Sequence, residues 1–415
     1  MRDVNQVEGP DHLGRYAAEY MEAREGIPSG LDLEPIISRR RKALLRLMGG
    51  TRRDWENWKW QLAHSLSEPH QLRQVLDLEP ARLESLERVS QHFRWALSPY
   101  YASLMDPDDP SCPIYQQSIP RSEELTDDFG VDDPMAEEKS SPLAAVTRRY
   151  PDRVIIKATN RCAMFCRHCQ RRRNIGDTDT ATPSEELEKA FHYVAGRPEI
   201  RDVLVTGGDP LTLSDGRLDW ILGKLDRIPH VEIKRIGSRA PVTLPQRITS
   251  DLCQVLSDHH PVFLNTQFNH PREVTEEARK ACDALSRAGV PLGNQAVLLR
   301  GINDSVHVMK RLHHLLLQIR VRPYYLFHAK AVRGTSHFIT PVEVGLDIME
   351  KFRGHTSGLA IPTYVVNAPG GQGKVPLMPD YLFSRFGRRH VAMRNWRNRL
   401  FLYPNTQGRG GGEEA

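Results

Sequence analysis

From Asp152 onward, short β-branched runs alternate with amphipathic stretches, and no other feature restricts the fold so tightly. The residues at 154–158, 203–206, 232–236, 262–266, 292–298 and 322–327 read as strands. Helical patterns lie near 184–196, 217–227, 249–258, 275–288, 305–319 and 342–353. Strand–helix units in series imply a parallel sheet with right-handed crossovers. Six such units imply an α/β fold, a partial (β/α)6 barrel, with ligands at the C-terminal ends of the strands. The first helix has a start signal: a capping Thr182, Pro183 at the first helical position and Glu185 three residues after the cap. A seventh strand-like run at 363–366 lies outside the six units.

Upstream the pattern is weaker. Residues 1–53 are a polar leader carrying Arg39, Arg40, Arg41 and Lys42. That basic run reads as a solvated helix face ahead of a contact for an anionic surface. Residues 54–148 form a helical N-terminal region and linker. In it Trp55, Trp58 and Leu62 make one helical stripe, 80–96 a second helix, and 106–142 an ordered loop or linker. The core barrel spans 149–360, and 361–415 form a C-terminal segment with a polar tail at 408–415. Lys plus Arg total 57 and Asp plus Glu 52, a net +5 mixed along the chain, which does not argue for nucleic acid. No apolar run approaches the roughly 20 residues of a membrane span, and the N-terminus lacks the apolar core of a secretory signal. Six cysteines in 415 residues make no disulfide framework, so the expected compartment is the cytoplasm.

Three of those cysteines lie together in Cys162-Ala-Met-Phe-Cys166-Arg-His-Cys169, just after the first strand. Three thiolates at this spacing can ligate one soft metal centre. Structural zinc usually needs four ligands, and no second cysteine pair follows. A 4Fe–4S cluster held by three thiolates keeps one iron open for a ligand. Zinc completed by His168 and a set of buried thiols are the other readings. Thr206-Gly207-Gly208-Asp209-Pro210 ends the second strand, where glycines admit close backbone approach to a ligand.

The segment Asn367-Ala-Pro-Gly370-Gly371-Gln-Gly373-Lys374 is not a Walker A loop, which needs Ser or Thr after the lysine. A lysine at such a loop tip, with its pKa lowered by confinement, can form a Schiff base, for which pyridoxal phosphate is the common partner. From the residues alone an ordinary surface turn stands ahead of that reading.

The cysteine motif after the first strand of a partial barrel resembles the radical S-adenosylmethionine superfamily. The glycine–lysine segment is similar to the cofactor-lysine motif of its lysine 2,3-aminomutase family. The resemblance runs from about Asp54 to about Arg399. It includes Ser98-Pro-Tyr-Tyr101, Arg149-Tyr-Pro-Asp-Arg153, Arg235-Ile-Gly-Ser-Arg239, Phe268-Asn-His-Pro271, Pro291-Leu-Gly-Asn-Gln295 and Arg322-Pro-Tyr-Tyr325. It implies a radical S-adenosylmethionine barrel with an isomerase activity. A cluster on Cys162, Cys166 and Cys169 cleaves S-adenosylmethionine, and the adenosyl radical takes a substrate hydrogen while the amino group migrates. Carried over by position, Lys374 would hold pyridoxal 5′-phosphate, with Arg149, Tyr150 and Arg153 around it. Arg171 would pair with the substrate α-carboxylate, against the alternative of a solvated charge. His168, Gly207, Gly208, Asp209, Ser238 and Gln295 would face S-adenosylmethionine.

In the lysine enzymes two aspartates bind the substrate ammonium. This chain has Lys330 and Asn367 at those positions. A substrate ammonium would meet a like charge, costing on the order of several kcal/mol in a closed site. A distal carboxylate would instead gain charge-assisted bonds. The same pair marks the glutamate 2,3-aminomutase branch, so the implied reaction is L-glutamate to β-glutamate. The same migration on aspartate, lysine or a lysine-like substrate, or a radical reaction without migration, is the alternative. The zinc-site cysteines of the lysine enzymes have no counterpart, since Ser305 stands at the first and no cysteine follows Cys282, so no zinc is expected. Cys112, Cys253 and Cys282 read as buried thiols. The implied partners are the amino acid and an electron donor such as flavodoxin or ferredoxin, with a homo-oligomer left open; neither nucleic acid nor membrane is implied.

Overall fold

The computed structural model describes residues 13–75, 80–106, 108–109, 111–386 and 390–404. Its centre is a nine-stranded sheet in sequential order. The strands are β1 (Val146–Tyr150), β2 (Arg153–Thr159), β3 (Asp202–Gly207), β4 (Ile233–Gly237), β5 (Val262–Thr266), β6 (Leu292–Leu298), β7 (Arg322–His328), β8 (Thr363–Asn367) and β9 (Lys374–Leu377). β2 through β8 run parallel, and β1 and β9 are antiparallel edges. Six crossover helices join the parallel strands: Ser184–Ala195, Asp215–Asp226, Ser250–Asp258, Glu276–Arg287, Val306–Gln318 and Val342–Phe352. All six strand–helix units stand where the pattern places them. The run at 363–366 becomes β8, a seventh parallel strand.

Helix Glu276–Arg287 shows why the periodic reading works. Thr275 caps it through Ala278 N–H, and Ala278, Ala281, Cys282 and Leu285 form one buried stripe. The helix starts at Ser184 as expected, but its cap differs. Pro183 is the N-cap, and the Thr182 hydroxyl donates 2.8 Å to the Lys157 carbonyl on β2. Thr182 therefore stands one residue outside the helix and ties its start to β2.

Parallel sheets are usually buried on both faces. Here β2 alternates half-buried Arg153, Ile155 and Lys157 with buried Val154, Ile156 and Ala158, and β4 and β6 alternate likewise. One face packs on the helices. The other lines an open concavity and carries Lys157, Arg235 and Gln295.

The flanking segments are more structured than their sequence suggests. Within 13–53 lie helices Arg15–Glu25 and Glu34–Leu47, and Ile37 and Leu44 enter the core. The basic run is partly paired with the barrel: Arg41 meets Glu277 at 2.6 Å and Arg40 meets Asp106 at 3.1 Å. The single stripe at 54–66 is two helices, Arg52–Trp55 and Trp58–Ala63, because Asn57 caps the second through Lys59 N–H. The second expected helix spans Pro80–Ser90. The stretch at 106–142 is packed into the body, with Cys112, Ile114 and Ile119 fully buried. A separate antiparallel sheet, β10 (Leu382–Phe386), β11 (His390–Arg394) and β12 (Leu400–Pro404), ends the described chain. The tail at 408–415 lies outside the described residues. No helix among them is long and apolar enough to cross a membrane.

Helix Val342–Phe352 meets β8 through Gly345, where an added Cβ would lie 2.2 Å from the Tyr364 ring. Tyr364 is fully buried and anchored to His328 and the Val342 carbonyl, so it has no room to yield. Gly345→Ala is expected to destabilise by about 1–3 kcal/mol, less the roughly 0.5–1 kcal/mol that Ala gains in a helix. The midpoint of chemical denaturation checks this.

Candidate active site

The loop after β2 carries Cys162, Cys166 and Cys169, all half-buried free thiols. N-terminal segments fix its shape. Phe165 N–H donates to the Ala96 carbonyl at 3.0 Å, and Arg167 N–H to the Gln117 carbonyl at 2.9 Å. Fully buried Arg167 grips buried Glu124 with both arms, at 3.1 and 2.5 Å. Burial first, then the neighbouring acid and thiols, raise the Cys162 pKa; burial and Cys166 raise that of Cys169. Arg239 Nη1 donates to Cys166 Sγ at 2.9 Å. Among the described residues no three such side chains converge on a single ion. Three free thiols on one loop, with a cationic donor on one of them, are a donor set that suits an iron–sulfur cluster. His168, in the same loop, is held neutral by burial, Arg239 and Lys330, and its Nδ1 is enclosed without a partner.

The Gly-Gly-Asp turn at the end of β3 lies against that loop. Gly208 N–H donates to the Thr159 carbonyl at 2.5 Å and Asp209 N–H to the Arg161 carbonyl at 2.7 Å. A Cβ on Gly207, at φ +123°, would stand 2.4 Å from the Thr159 oxygen. Backbone contact with β2 is therefore enough to require glycine. The Asp209 carboxylate accepts from Ser238 Oγ at 2.7 Å, Arg239 N–H at 2.8 Å and Leu211 N–H at 3.0 Å. Asp209 and Ser238, read from the resemblance as cofactor contacts, are bonded to each other and tie the β3 turn to the β4 turn. Burial raises the pKa of Asp209 despite those donors.

Lys374 is the first residue of β9, not a loop tip, and pairs directly across from Asn367 on β8. The glycine turn between them docks on the segment before β1: Gly370 N–H donates to the Pro134 carbonyl at 2.9 Å. At Gly371, φ +78°, a Cβ would meet the Met135 oxygen at 2.6 Å. Lys374 N–H donates to Tyr150 Oη at 3.0 Å, which joins the two edge strands of the sheet. Lys374 Nζ lies over the Tyr325 and Phe327 rings, 4.8 and 5.6 Å from their centroids. Burial, then Arg235, Arg153 and Arg149, lower its pKa to about 8. Arg153 begins β2, so Lys374 sits deeper than the C-terminal strand ends where ligands were expected. The cysteine loop and the Gly-Gly-Asp turn do occupy those ends.

Glu137 organises the neighbouring cations. Its side chain is 3% exposed. It accepts from Arg171 Nε at 3.0 Å and Nη2 at 2.8 Å, and from Arg149 Nη2 at 3.4 Å. Arg173 stands 3.8 Å away. Burial opposes its charge, but Arg171, then Arg149 and Arg173, outweigh burial and hold the carboxyl below its usual range. Arg171 is thus paired inside the protein and not solvated. Lys330 follows β7 and lies 5.2 Å from the Phe327 ring centroid. Burial, then Arg171, Arg149 and Lys374, lower its pKa to about 7 against the pull of Glu137. Among the described residues Lys330 has no carboxylate at ion-pair distance. Arg149 Nη1 and Asn367 Nδ2 are both enclosed without a partner. An amine of lowered pKa beside an arginine with an idle donor fits a phosphate-bearing aldehyde.

Comparison with known proteins follows the same lines. Residues 156–312 match the Radical SAM superfamily and residues 349–411 match Lysine-2,3-aminomutase. A glutamate 2,3-aminomutase of Clostridioides difficile is 51% identical over 92% of this chain and 90% of its own length. L-lysine 2,3-aminomutases of Fusobacterium nucleatum and Clostridium subterminale are 51% and 48% identical, over 86% and 84% of this chain and 84% of each of theirs. The chain belongs to the lysine 2,3-aminomutase family of radical S-adenosylmethionine enzymes. It is an isomerase of that family, whose cofactors are a 4Fe–4S cluster, S-adenosylmethionine and pyridoxal phosphate. The Lysine-2,3-aminomutase match contains the Lys374 strand, and the Radical SAM match contains the cysteine loop.

Of the residues singled out from sequence, the structure brings Arg149, Arg171, Lys330, Asn367 and Lys374 into one concavity, with His168 and the cysteines at its rim. Sequence reasoning missed Glu137, Glu124, Arg235 and Tyr325. Glu137 lies in a stretch without periodicity, where one acid among many carries no signal. Glu137→Gln is expected to lower the Lys330 pKa below about 7, because it removes a carboxylate that raises it. Competitive acylation across pH, read by mass spectrometry at Lys330, checks the direction.

Proposed function

We propose that this enzyme converts L-glutamate to β-glutamate (3-aminoglutarate) by a pyridoxal-phosphate-dependent 2,3-amino shift. One observation carries the reading: the concavity holds Arg149, Arg153, Lys157, Arg171, Arg235, Lys330 and Lys374, with Glu137, Asp133 and Asp202 as acids that act on the three lysines. Such a surplus of positive charge suits a dicarboxylate and a phosphate together, and it opposes a substrate that carries an ammonium at its far end.

Each residue has a task in this reading. Glu137 holds Arg171 through Nε and Nη2, which leaves Nη1 to meet the substrate α-carboxylate. Lys330 gains its proton fully when a second carboxylate arrives, and Asn367 Nδ2 donates beside it. With a pKa of about 8, Lys374 is partly neutral near pH 7.5, as a nucleophilic amine must be. Arg149, Tyr150 and Arg153 hold the phosphate and ring of the cofactor. Cys162, Cys166 and Cys169 hold the cluster, and His168, the Gly207–Gly208 turn and Gln295 border the space for S-adenosylmethionine. When bound, these groups supply a hydrogen-abstracting radical and an unsaturated ring that stabilises nitrogen migration. The chain supplies position: two carboxylates gripped at opposite ends leave the carbon chain one orientation. An external one-electron donor, a flavodoxin or ferredoxin, and a reducing cytoplasm in which the other three cysteines persist as thiols complete the reading.

An anaerobic panel of glutamate, aspartate and lysine, with products resolved against β-amino acid standards, tests it. β-Glutamate should form with lysine unchanged; lysine turnover would overturn the charge argument. Lys330→Met should lower kcat/KM for glutamate about 10- to 100-fold, the worth of a charge-assisted bond of about 1.5–3 kcal/mol. The profile of kcat/KM should fall on its alkaline side as Lys330 loses its proton near pH 7, because this parameter reports the free enzyme. Lys330→Arg should move that limb upward. Lys374→Ala should abolish the visible Schiff-base absorbance.

A further inference from the structure

Arg239 has no part in the reading above. It follows β4 as the N-cap of the short helix Ala240–Thr243 and is 8% exposed. Its guanidinium is fixed on every side. Nε donates to the Gln267 carbonyl at 3.0 Å. Nη2 donates to Glu273 Oε1 at 2.6 Å and to Gln117 Oε1 at 2.8 Å. Nη1 donates to Cys166 Sγ at 2.9 Å. The backbone N–H is bound to Asp209, which locks the residue to the turn beside the cysteine loop.

Glu273 is fully buried and equally constrained. It accepts from Tyr101 Oη at 2.7 Å and from the N–H groups of Asn269 at 2.5 Å and His270 at 3.0 Å. A buried arginine needs a carboxylate and neutral acceptors to remain charged, and Glu273, Gln117 and Gln267 provide them. The bond to sulfur supports that charge as well. It places one arm of a rigid, permanently charged fork on a cluster ligand.

We propose that Arg239 is a redox-tuning residue: its buried charge and its Nη1–H donor on Cys166 raise the reduction potential of the 4Fe–4S cluster, and Glu273 offsets part of that charge. Reduction adds one electron, taken from an external one-electron reductant, and no proton moves. The guanidinium stays protonated in both states. The added negative charge resides on the iron–sulfur core and its thiolates, so a donor to a thiolate and a nearby cation favour the reduced state. The nearby carboxylate favours the oxidised one. Removing the two partners should therefore shift the potential in opposite directions.

The test is an anaerobic redox titration of reconstituted full-length protein, with dithionite as reductant, followed by absorbance and by the electron paramagnetic resonance signal of the reduced cluster. It is run without S-adenosylmethionine, pyridoxal phosphate or amino acid, so the outcome does not depend on which substrate the enzyme uses. Iron content is matched across variants. Arg239→Met should move the midpoint to a more negative potential. Glu273→Gln should move it to a more positive one. Arg239→Lys, which keeps the charge and loses the fork, should fall between wild type and Arg239→Met. A purely structural role would shift both neutralised variants in one direction or neither, and that result overturns the proposal. Glu273→Gln is isosteric and retains an acceptor for Tyr101. If Arg239→Met does not take up iron, the sign of the Glu273→Gln shift decides alone, and a negative or absent shift overturns the proposal.

Discussion

Glu137 makes the site physically possible. Arginines and lysines packed into one concave surface repel one another, and each loses hydration on burial. A carboxylate that bonds Arg171 and Arg149 and faces Arg173 offsets both costs while leaving a net positive field. Burial first, and the remaining imbalance after it, lower the pKa values of the lysines to about 7 for Lys330 and about 8 for Lys374. Groups poised near neutrality are responsive to an arriving anion or aldehyde, a common property of reactive sites.

That arrangement requires a sheet with one face left open. The alternation of buried and half-buried residues along β2, β4 and β6 turns polar side chains inward, where a doubly covered sheet would have buried hydrocarbon. Segments outside the barrel then finish the site. The stretch before β1 brings Glu137 and seats the glycine turn. Residues near Ala96, Gln117 and Glu124 shape the cysteine loop. The catalytic surface is thus assembled from parts distant in sequence around a regular scaffold.

The scaffold was the most legible part. Crossover helices carry strong apolar stripes, and β-branched runs separate them, so periodicity located all six units to within a few residues. Motifs that depend on local spacing, such as Cys162, Cys166 and Cys169, were equally readable, because neighbours in sequence stay neighbours in a loop. The Lys330 and Asn367 pair was legible only through the resemblance. Glu137 and Arg239 were not legible as functional groups at all. Their importance arises from partners tens of residues or more away, Arg171 for one and Cys166 and Glu273 for the other. The helix start at 184 held, but the cap is Pro183 and not Thr182, whose hydroxyl donates to a strand carbonyl. Sequence pattern reports what a residue does for its own element. It is nearly silent on what the residue does for another.

The hydrogen bond from Lys374 N–H to Tyr150 Oη spans 224 residues and joins the two margins of the sheet. A chain made from its N-terminus completes β1, the cysteine loop and most of the barrel wall before this clasp exists. During biosynthesis the two margins of the sheet are therefore joined only at the end. The cysteine loop is synthesised well before the strand that bears Lys374, so the two parts of the site come together only once the last strand has joined the sheet.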